Sequence, residues 1–235
     1  MIYLLTALVV GLAGWAWRLR AVTAAGAVTG AAMGMILALS ATPAPLVAFL
    51  VFVALGSAAS RLGAAEKRVA GVMQADDGRR GVEHALANCG FSVAVVAAAW
   101  CWPAWPQAEW VACASLAAAF SDTMASEIGT WQGGVPRDIL RWKRVPTGQD
   151  GGVTAGGLAA AALASGGLAA LTLPWLGASA FMPIAIGGFV GNLVDSILGA
   201  TIEPRLGPRG GSIVNVVCCV TGGAAAAFLA RVTSG

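Results

Sequence analysis

Histidine occurs once in this chain, at position 84, tyrosine occurs once, and charged residues make up 11% of the total. Soluble globular domains carry about 25% charged residues, so a surface solvated by water on all sides is excluded. The five cysteines, Cys89, Cys101, Cys113, Cys218 and Cys219, lie in or beside apolar stretches and lack CxxC spacing. They read as small packing residues, and neither a metal knuckle nor a disulfide framework is expected. The formal net charge of +3 is spread over short loops without interleaved aromatics, which removes nucleic acid as a partner. No basic segment precedes the first apolar stretch, so no cleavable signal peptide is expected.

Long apolar runs are what the chain has instead. Hydrophobic residues reach 58% and mean hydropathy is +0.78. In windows of about 19 residues, apolar spans fall at 2–17, 21–40, 45–60, 82–101, 108–128, 153–174, 180–200 and 213–232. Helices of this order cross a hydrocarbon core about 30 Å thick. Arg18 and Arg20 follow the first span; Arg61, Lys67, Arg68, Arg79 and Arg80 follow the third. Arg137, Arg141, Lys143 and Arg144 follow the fifth, and Arg205 and Arg209 the seventh, whereas the turns 41–44, 102–107 and 175–179 carry no Lys or Arg. Cytoplasmic loops hold the excess of basic residues. An all-α, polytopic protein of the inner membrane is therefore expected, with about eight transmembrane helices and both termini on the outer side. It would form a single transmembrane domain over residues 1–235, with 1–60 as scaffold and 61–215 carrying the functional loops. Gly26, Gly30 and Gly34 put a small-residue stripe on the second helix, suited to close packing. Trp100, Trp102, Trp105 and Trp110 read as an aromatic belt at the outer interface.

Ionisable residues inside such spans are expensive and mark functional sites. Asp122 and Ser126 share a face of the fifth span near its cytoplasmic end, and Glu127 is displaced from that face toward water. A basic loop follows and closes on Pro146–Thr154, where Gly148, Gly151 and Gly152 open the sixth span. A glycine turn leading into a helix N-terminus offers backbone N–H groups and the positive dipole end to phosphate. The seventh span repeats the plan: Asn192 and Asp195 share a face, then Gly207, Arg209, Gly210 and Gly211 open the eighth, with Asn215 in its first turn. Helices 5–6 and 7–8 are thus expected to form a parallel repeat. Glu83, His84 and Asn88 lie in the first two turns of the fourth span, just after Arg79 and Arg80, whose guanidinium groups suit bidentate contact with phosphate. The loop before them also mixes Glu66, Lys67, Arg68, Asp76 and Asp77.

Asn88, Asp122 and Asp195 come from three spans at similar depth. Three roles are open to the acids: ion pairs with loop arginines, an ion or proton relay in a transporter, or a Mg²⁺ site. Mg²⁺ takes one or two carboxylates and completes its shell with phosphate oxygens and water. Phosphoryl and nucleotidyl transfer need such parts and no cysteine or histidine nucleophile. A transporter needs polar residues toward the outer side as well, and spans 4, 5 and 7 are nearly all apolar there.

The runs Asp122–Gly129, Val145–Thr154 and Asp195–Thr201, with Arg79 through Asn88 before them, resemble the signature blocks of one integral membrane family. It includes the chloroplast phytyl-phosphate kinase of vitamin E biosynthesis and its bacterial and archaeal relatives, and is distantly similar to dolichol kinases and phosphatidate cytidylyltransferases. The chain departs from the family pattern at Met124, where a tryptophan is expected, and at Gln149-Asp150, where a Thr/Ser-Asn pair is usual. The resemblance implies phosphorylation of an isoprenyl monophosphate to the diphosphate by CTP or another NTP, at the cytoplasmic face of the bilayer. On that basis Asp122 and Asp195 are expected to hold Mg²⁺, with Glu127 as a third catalytic acid. Lys143, Arg144, Thr147, Gly148, Gly151, Gly152, Arg209, Gly210, Gly211 and Asn215 would hold the nucleotide phosphates, and Arg79, Arg80, Asn88 and Ser126 the acceptor phosphate. The alternatives are a cytidylyltransferase making a CDP-lipid and an ion- or proton-coupled transporter.

Overall fold

Apolar runs punctuated by glycine, proline and arginine fold as helices wherever backbone groups must be satisfied without water. The structure, a computed structural model, describes residues 2–64 and 79–234; Glu66, Lys67, Arg68, Asp76 and Asp77 lie outside the described residues. Among the described residues there are eight α-helices: α1 (Ile2–Arg18), α2 (Ala24–Leu37), α3 (Ala44–Ala59), α4 (Val82–Cys101), α5 (Ala108–Trp131), α6 (Ala155–Leu176), α7 (Phe181–Thr201) and α8 (Gly210–Ser234). Four segments, Val82–Cys101, Ala155–Leu176, Ala178–Thr201 and Gly207–Val232, are long and apolar enough to cross a membrane, while Ala24–Leu37 and Ala44–Ala59 are shorter apolar helices. The number of helices matches the expected spans, but α2, with 14 residues, is only about 21 Å long, short of a hydrocarbon core of about 30 Å.

The core is α5. Ala112 to Ser121 are buried on every side of the helix, the mark of a helix enclosed by others rather than lying at a surface. It packs against α3, α4, α6, α7 and α8. Within that sheath Glu127 is buried and Glu109 and Asp122 are half-buried. Small residues make the enclosure possible. A Cβ on Gly191 of α7 would lie 2.7 Å from the Cys218 carbonyl of α8, and one on Gly222 of α8 would lie 2.8 Å from Ala118 of α5. The glycine stripe of α2 packs at two of its three positions. Gly34 meets Val9, Gly26 meets the Arg80 carbonyl, and Gly30 faces open space.

The loops sort by charge. At one end Arg61 donates from Nη2 to the Leu19 carbonyl (2.6 Å), and Thr23 N–H donates to the Arg80 carbonyl (3.1 Å). At the other end the arginine-free turn after α2 is tied to α5: Thr42 donates to the Glu109 carboxylate from its backbone N–H (2.7 Å) and from Oγ1 (2.8 Å). Trp100 donates from Nε1 to the Leu39 carbonyl (3.3 Å) nearby. Glu109 also sits in the first turn of α5, where the helix dipole favours a carboxylate.

The departure from an all-α chain lies between α5 and α6. β1 (Arg137–Asp138) pairs antiparallel with β2 (Gly152–Val153), Arg137 opposite Val153 and Asp138 opposite Gly152. Asp138 Oδ1 accepts the N–H groups of Leu140 (3.0 Å) and Arg141 (2.7 Å), and Trp142 takes a left-handed φ of 57° to close the bend.

Substituting Gly191→Ala should destabilise the protein by about 1–3 kcal/mol through overpacking of α5, α7 and α8. Gly90→Ala, where a Cβ meets nothing within 4 Å, should be neutral or stabilising by up to about 1 kcal/mol. Thermal unfolding of the two variants in detergent checks the contrast.

Candidate functional site

The arginine-bearing end holds a cavity of about 330 Å³, walled by α5, α7, the start of α8 and the segment 147–154, with Ser60 just past the end of α3. Asp122 from α5 and Asp195 from α7 both line it, near enough for their carboxyl groups to act on each other. Oδ2 of Asp195 and both amide atoms of Asn192 are buried without a hydrogen-bond partner among the described residues. Asn192 is 1% exposed and lines the same cavity, as do Glu127, Asp150 and Glu203. Five carboxylates thus face this space, with no Lys, Arg or His among its described lining residues. Buried polar groups are ordinarily paired, and these oxygens are left able to accept a contact from a ligand.

Glycine shapes the wall by close approach. Gly148 and Gly151 take φ values of 82° and 74°, conformations costly for other residues. Gln149 N–H donates to the Pro146 carbonyl (3.2 Å) and Gly152 N–H to the Gln149 carbonyl (3.0 Å), so those two amides are spent inside the turn. The turn then docks on α7. A Cβ on Gly199 would lie 2.8 Å from the Gly151 nitrogen, and one on Gly151 would collide with the Ala200 backbone. Thr154 caps α6, its Oγ1 accepting the Gly157 N–H (3.0 Å), the N-cap role that suits threonine. At the start of α8 the Glu203 carboxylate lies over the helix, Oε1 3.0 Å from the place a Gly211 Cβ would take. A carboxylate is favourable there, so any phosphate reaching that N-terminus meets the chain's own acid first.

The residues expected from the sequence divide. Asp122, Ser126, Glu127, Thr147, Gly148, Gly151, Gly152, Asp195, Gly211 and Asn215 line the cavity. Lys143, Arg144 and Arg209 are exposed and do not line it, and Gly210 is buried beside Glu203. Arg137 and Arg141 serve the loop itself, the first donating to the Trp142 carbonyl (2.8 Å) and the second pairing with Asp138 (3.6 Å). Asn88 is buried but donates to the His84 carbonyl (3.0 Å) one turn back. Arg79 is exposed, whereas Arg80 is only 6% exposed. Desolvation pulls the Arg80 pKa down to about 10, with neighbouring acidic groups, Glu127 among them, acting the other way. Asn192 was legible as sharing a face with Asp195; Glu203 was not assigned, although it is the only acid after Asp195.

Two pKa shifts outside the helices matter. Burial raises Asp150. Burial also raises Glu203, and the charges of Asp150 and Asp122 push it the same way. Among the described residues no group of three or more His, Cys, Asp or Glu side chains forms a metal cage. Two carboxylates and an amide oxygen are nevertheless a donor set that fits Mg²⁺, which shares its shell with phosphate and water.

Residues 7–230 match the family described as "Integral membrane protein DUF92". The chain is 31% identical over 204 residues to an "Uncharacterized membrane protein" of Methanocaldococcus jannaschii, covering 84% of this chain and 81% of that one. It is 30% identical over 184 residues to an "Uncharacterized membrane protein" of Synechocystis, covering 75% and 70%. To "Protein PGR" of Arabidopsis thaliana it is 33% identical over 181 residues, covering 66% and 62%. No solved structure matches it.

Groups whose folded pKa is raised, as at Asp150 and Glu203, contribute stability at low pH that is lost as pH rises through the folded value. Without divalent cation, the melting temperature in detergent should therefore fall as pH rises above the ordinary carboxylate range. Mg²⁺ should offset the fall, by more at the upper end, and Glu203→Gln should flatten the profile. A Mg²⁺ shift of equal size at both ends would count against cation binding among these carboxylates.

Proposed function

This chain belongs to the integral membrane family DUF92, and on that premise we propose that it phosphorylates an isoprenyl monophosphate to the diphosphate, using CTP or another nucleoside triphosphate, at the cytoplasmic face of the inner membrane. One observation carries this reading: Asp122 and Asp195, from separate helices, meet beside an unpartnered Asn192 in a cavity whose described lining holds five carboxylates and no cation. A bare triphosphate would be repelled from such a wall, whereas a metal–nucleotide complex brings the positive charge it lacks.

Asp122, Asp195 and Asn192 Oδ1 would hold Mg²⁺, which when bound neutralises charge on the transferred phosphoryl group. The turn 147–154 orients the nucleotide phosphates through the Thr147 hydroxyl and its glycine backbone, at a distance from α7 that Gly151 and Gly199 set. Asn215, in the first turns of α8, adds a side-chain amide to the wall. Lys143, Arg144 and Arg209 stand on exposed loops leading to that wall and draw the anionic nucleotide toward it. Glu127, 5% exposed, and Ser126 line the same cavity, Glu127 as the third catalytic acid and Ser126 with a hydroxyl for the acceptor phosphate. Catalysis of this kind is mainly positioning and charge neutralisation, for which a closely packed helical wall is suited.

Purified protein supplied with Mg²⁺, a panel of nucleoside triphosphates and isoprenyl monophosphates should release nucleoside diphosphate and isoprenyl diphosphate, read by mass spectrometry. Pyrophosphate with a CDP-lipid would replace the kinase by a cytidylyltransferase. Asp122→Asn and Asp195→Asn should each lower turnover by at least about a hundredfold while the melting temperature shows a folded protein. Near-normal turnover in either variant removes the assignment.

A further inference from the structure

Arg80 precedes α4 and is strapped to the chain after α1: its N–H donates to the Ala21 carbonyl (3.1 Å) and its carbonyl accepts the Thr23 N–H (3.1 Å). Two glycines on other helices make room for it. Its carbonyl takes the space a Cβ on Gly26 of α2 would need, and its guanidinium takes the space a Cβ on Gly56 of α3 would need. The planar cation lies 4.7 Å over the Phe52 ring, and both Nη atoms are buried with no hydrogen-bond partner among the described residues. Among the described residues the Glu127 charge acts on it without a hydrogen bond, which leaves both Nη atoms able to bond an anion from outside the chain.

What Arg80 faces defines that anion. A second cavity of about 80 Å³ lies between α1, α2, α3 and α4, its walls apolar, with Val9, Ala13, Gly30, Phe49 and Val53 among them. The other unpartnered polar atom lining it is Nε2 of His84. Glu127, whose charge acts on the Arg80 guanidinium, lines the larger cavity, so Arg80 stands at the boundary between the apolar space and the carboxylate site.

We infer that the cavity between α1 and α4 is the lipid site: it takes a single apolar chain ending in a phosphate monoester, the chain among α1–α3 and the phosphate on Arg80 and His84. This rests on the reading that an isoprenyl monophosphate is the acceptor. It gives the first three helices, outwardly plain scaffold, the task of selecting the substrate's tail.

The test measures binding alone, on the full-length protein in detergent without Mg²⁺ or nucleotide. The probe is a diazirine-bearing geranylgeranyl monophosphate, compared with the matching alcohol and challenged with inorganic phosphate. The phosphate probe should label peptides around Val9–Ala16 and Phe49–Val53, with the alcohol about tenfold weaker. Arg80→Met should lower labelling about tenfold, and Arg80→Lys should restore part of it. Gly30→Leu fills space where a Cβ meets nothing within 4 Å. It should lower labelling by a similar factor while keeping the wild-type melting temperature and Mg²⁺-induced shift. Labelling confined to α5–α8, equal labelling by alcohol and phosphate, or displacement by inorganic phosphate at the probe's own concentration would overturn the inference. Labelling as expected without kinase turnover would remove the kinase and leave the lipid site; turnover with labelling elsewhere would do the reverse.

Discussion

Carboxyl groups held together with no cation in the wall around them are the constraint on which this fold is organised. Asp122, Asp195, Glu127, Asp150 and Glu203 face one space, and like charges so placed repel. The apolar remainder of the bundle offsets that cost. α5 is enclosed over most of its length, its alanines meeting glycines of α7 and α8 at backbone distance, and its far end is fastened by Glu109 to Thr42. Dispersion contacts of that density accumulate into large stabilisation, so the charged end can be kept unrelaxed. Sites that bind multiply charged complexes need this division, because an acidic wall free to spread apart would lose its affinity for a cation.

The abundant glycine has a related explanation. Glycine turns before helices suggest phosphate cradles, and the turn 147–154 does border the cavity. Its structure shows a further purpose, however, for two of its amides are used internally and Gly151 is pressed on Ala200. Gly129 and Gly157 bring α5 and α6 together next to it. These residues set the thickness of the wall.

Much of this was legible before any coordinates. Helix positions follow hydropathy within a few residues, because membrane helices must satisfy their backbone internally. Asp122 and Asp195 could be paired because each is an acid near the same end of an apolar span, where burial without purpose is too expensive. The cations were harder to read. Proximity in sequence placed Lys143 and Arg144 at the site, yet a loop residue's direction depends on the local bend, here closed by Trp142 in a left-handed conformation and by a two-residue strand too short to leave a periodic signal. Arg80 was expected near phosphate, but its burial depends on Gly26 and Gly56 of distant helices, a coincidence in space that no local pattern reports. Glu203 was passed over because a lone acid in a short polar loop has an ordinary explanation as a solvated residue.

The contact of Gly151 with Ala200 joins two parts that would otherwise move separately. The turn is one side of the cavity, and Ala200 lies little more than a helical turn from Asp195 on α7. Packed backbones resist sliding past each other, so a guest bulky enough to displace the turn also bends the helix that carries the acid. Guest size and the gap between the two aspartates are therefore one mechanical variable, and a guest of the wrong bulk would be rejected through the spacing of the acids.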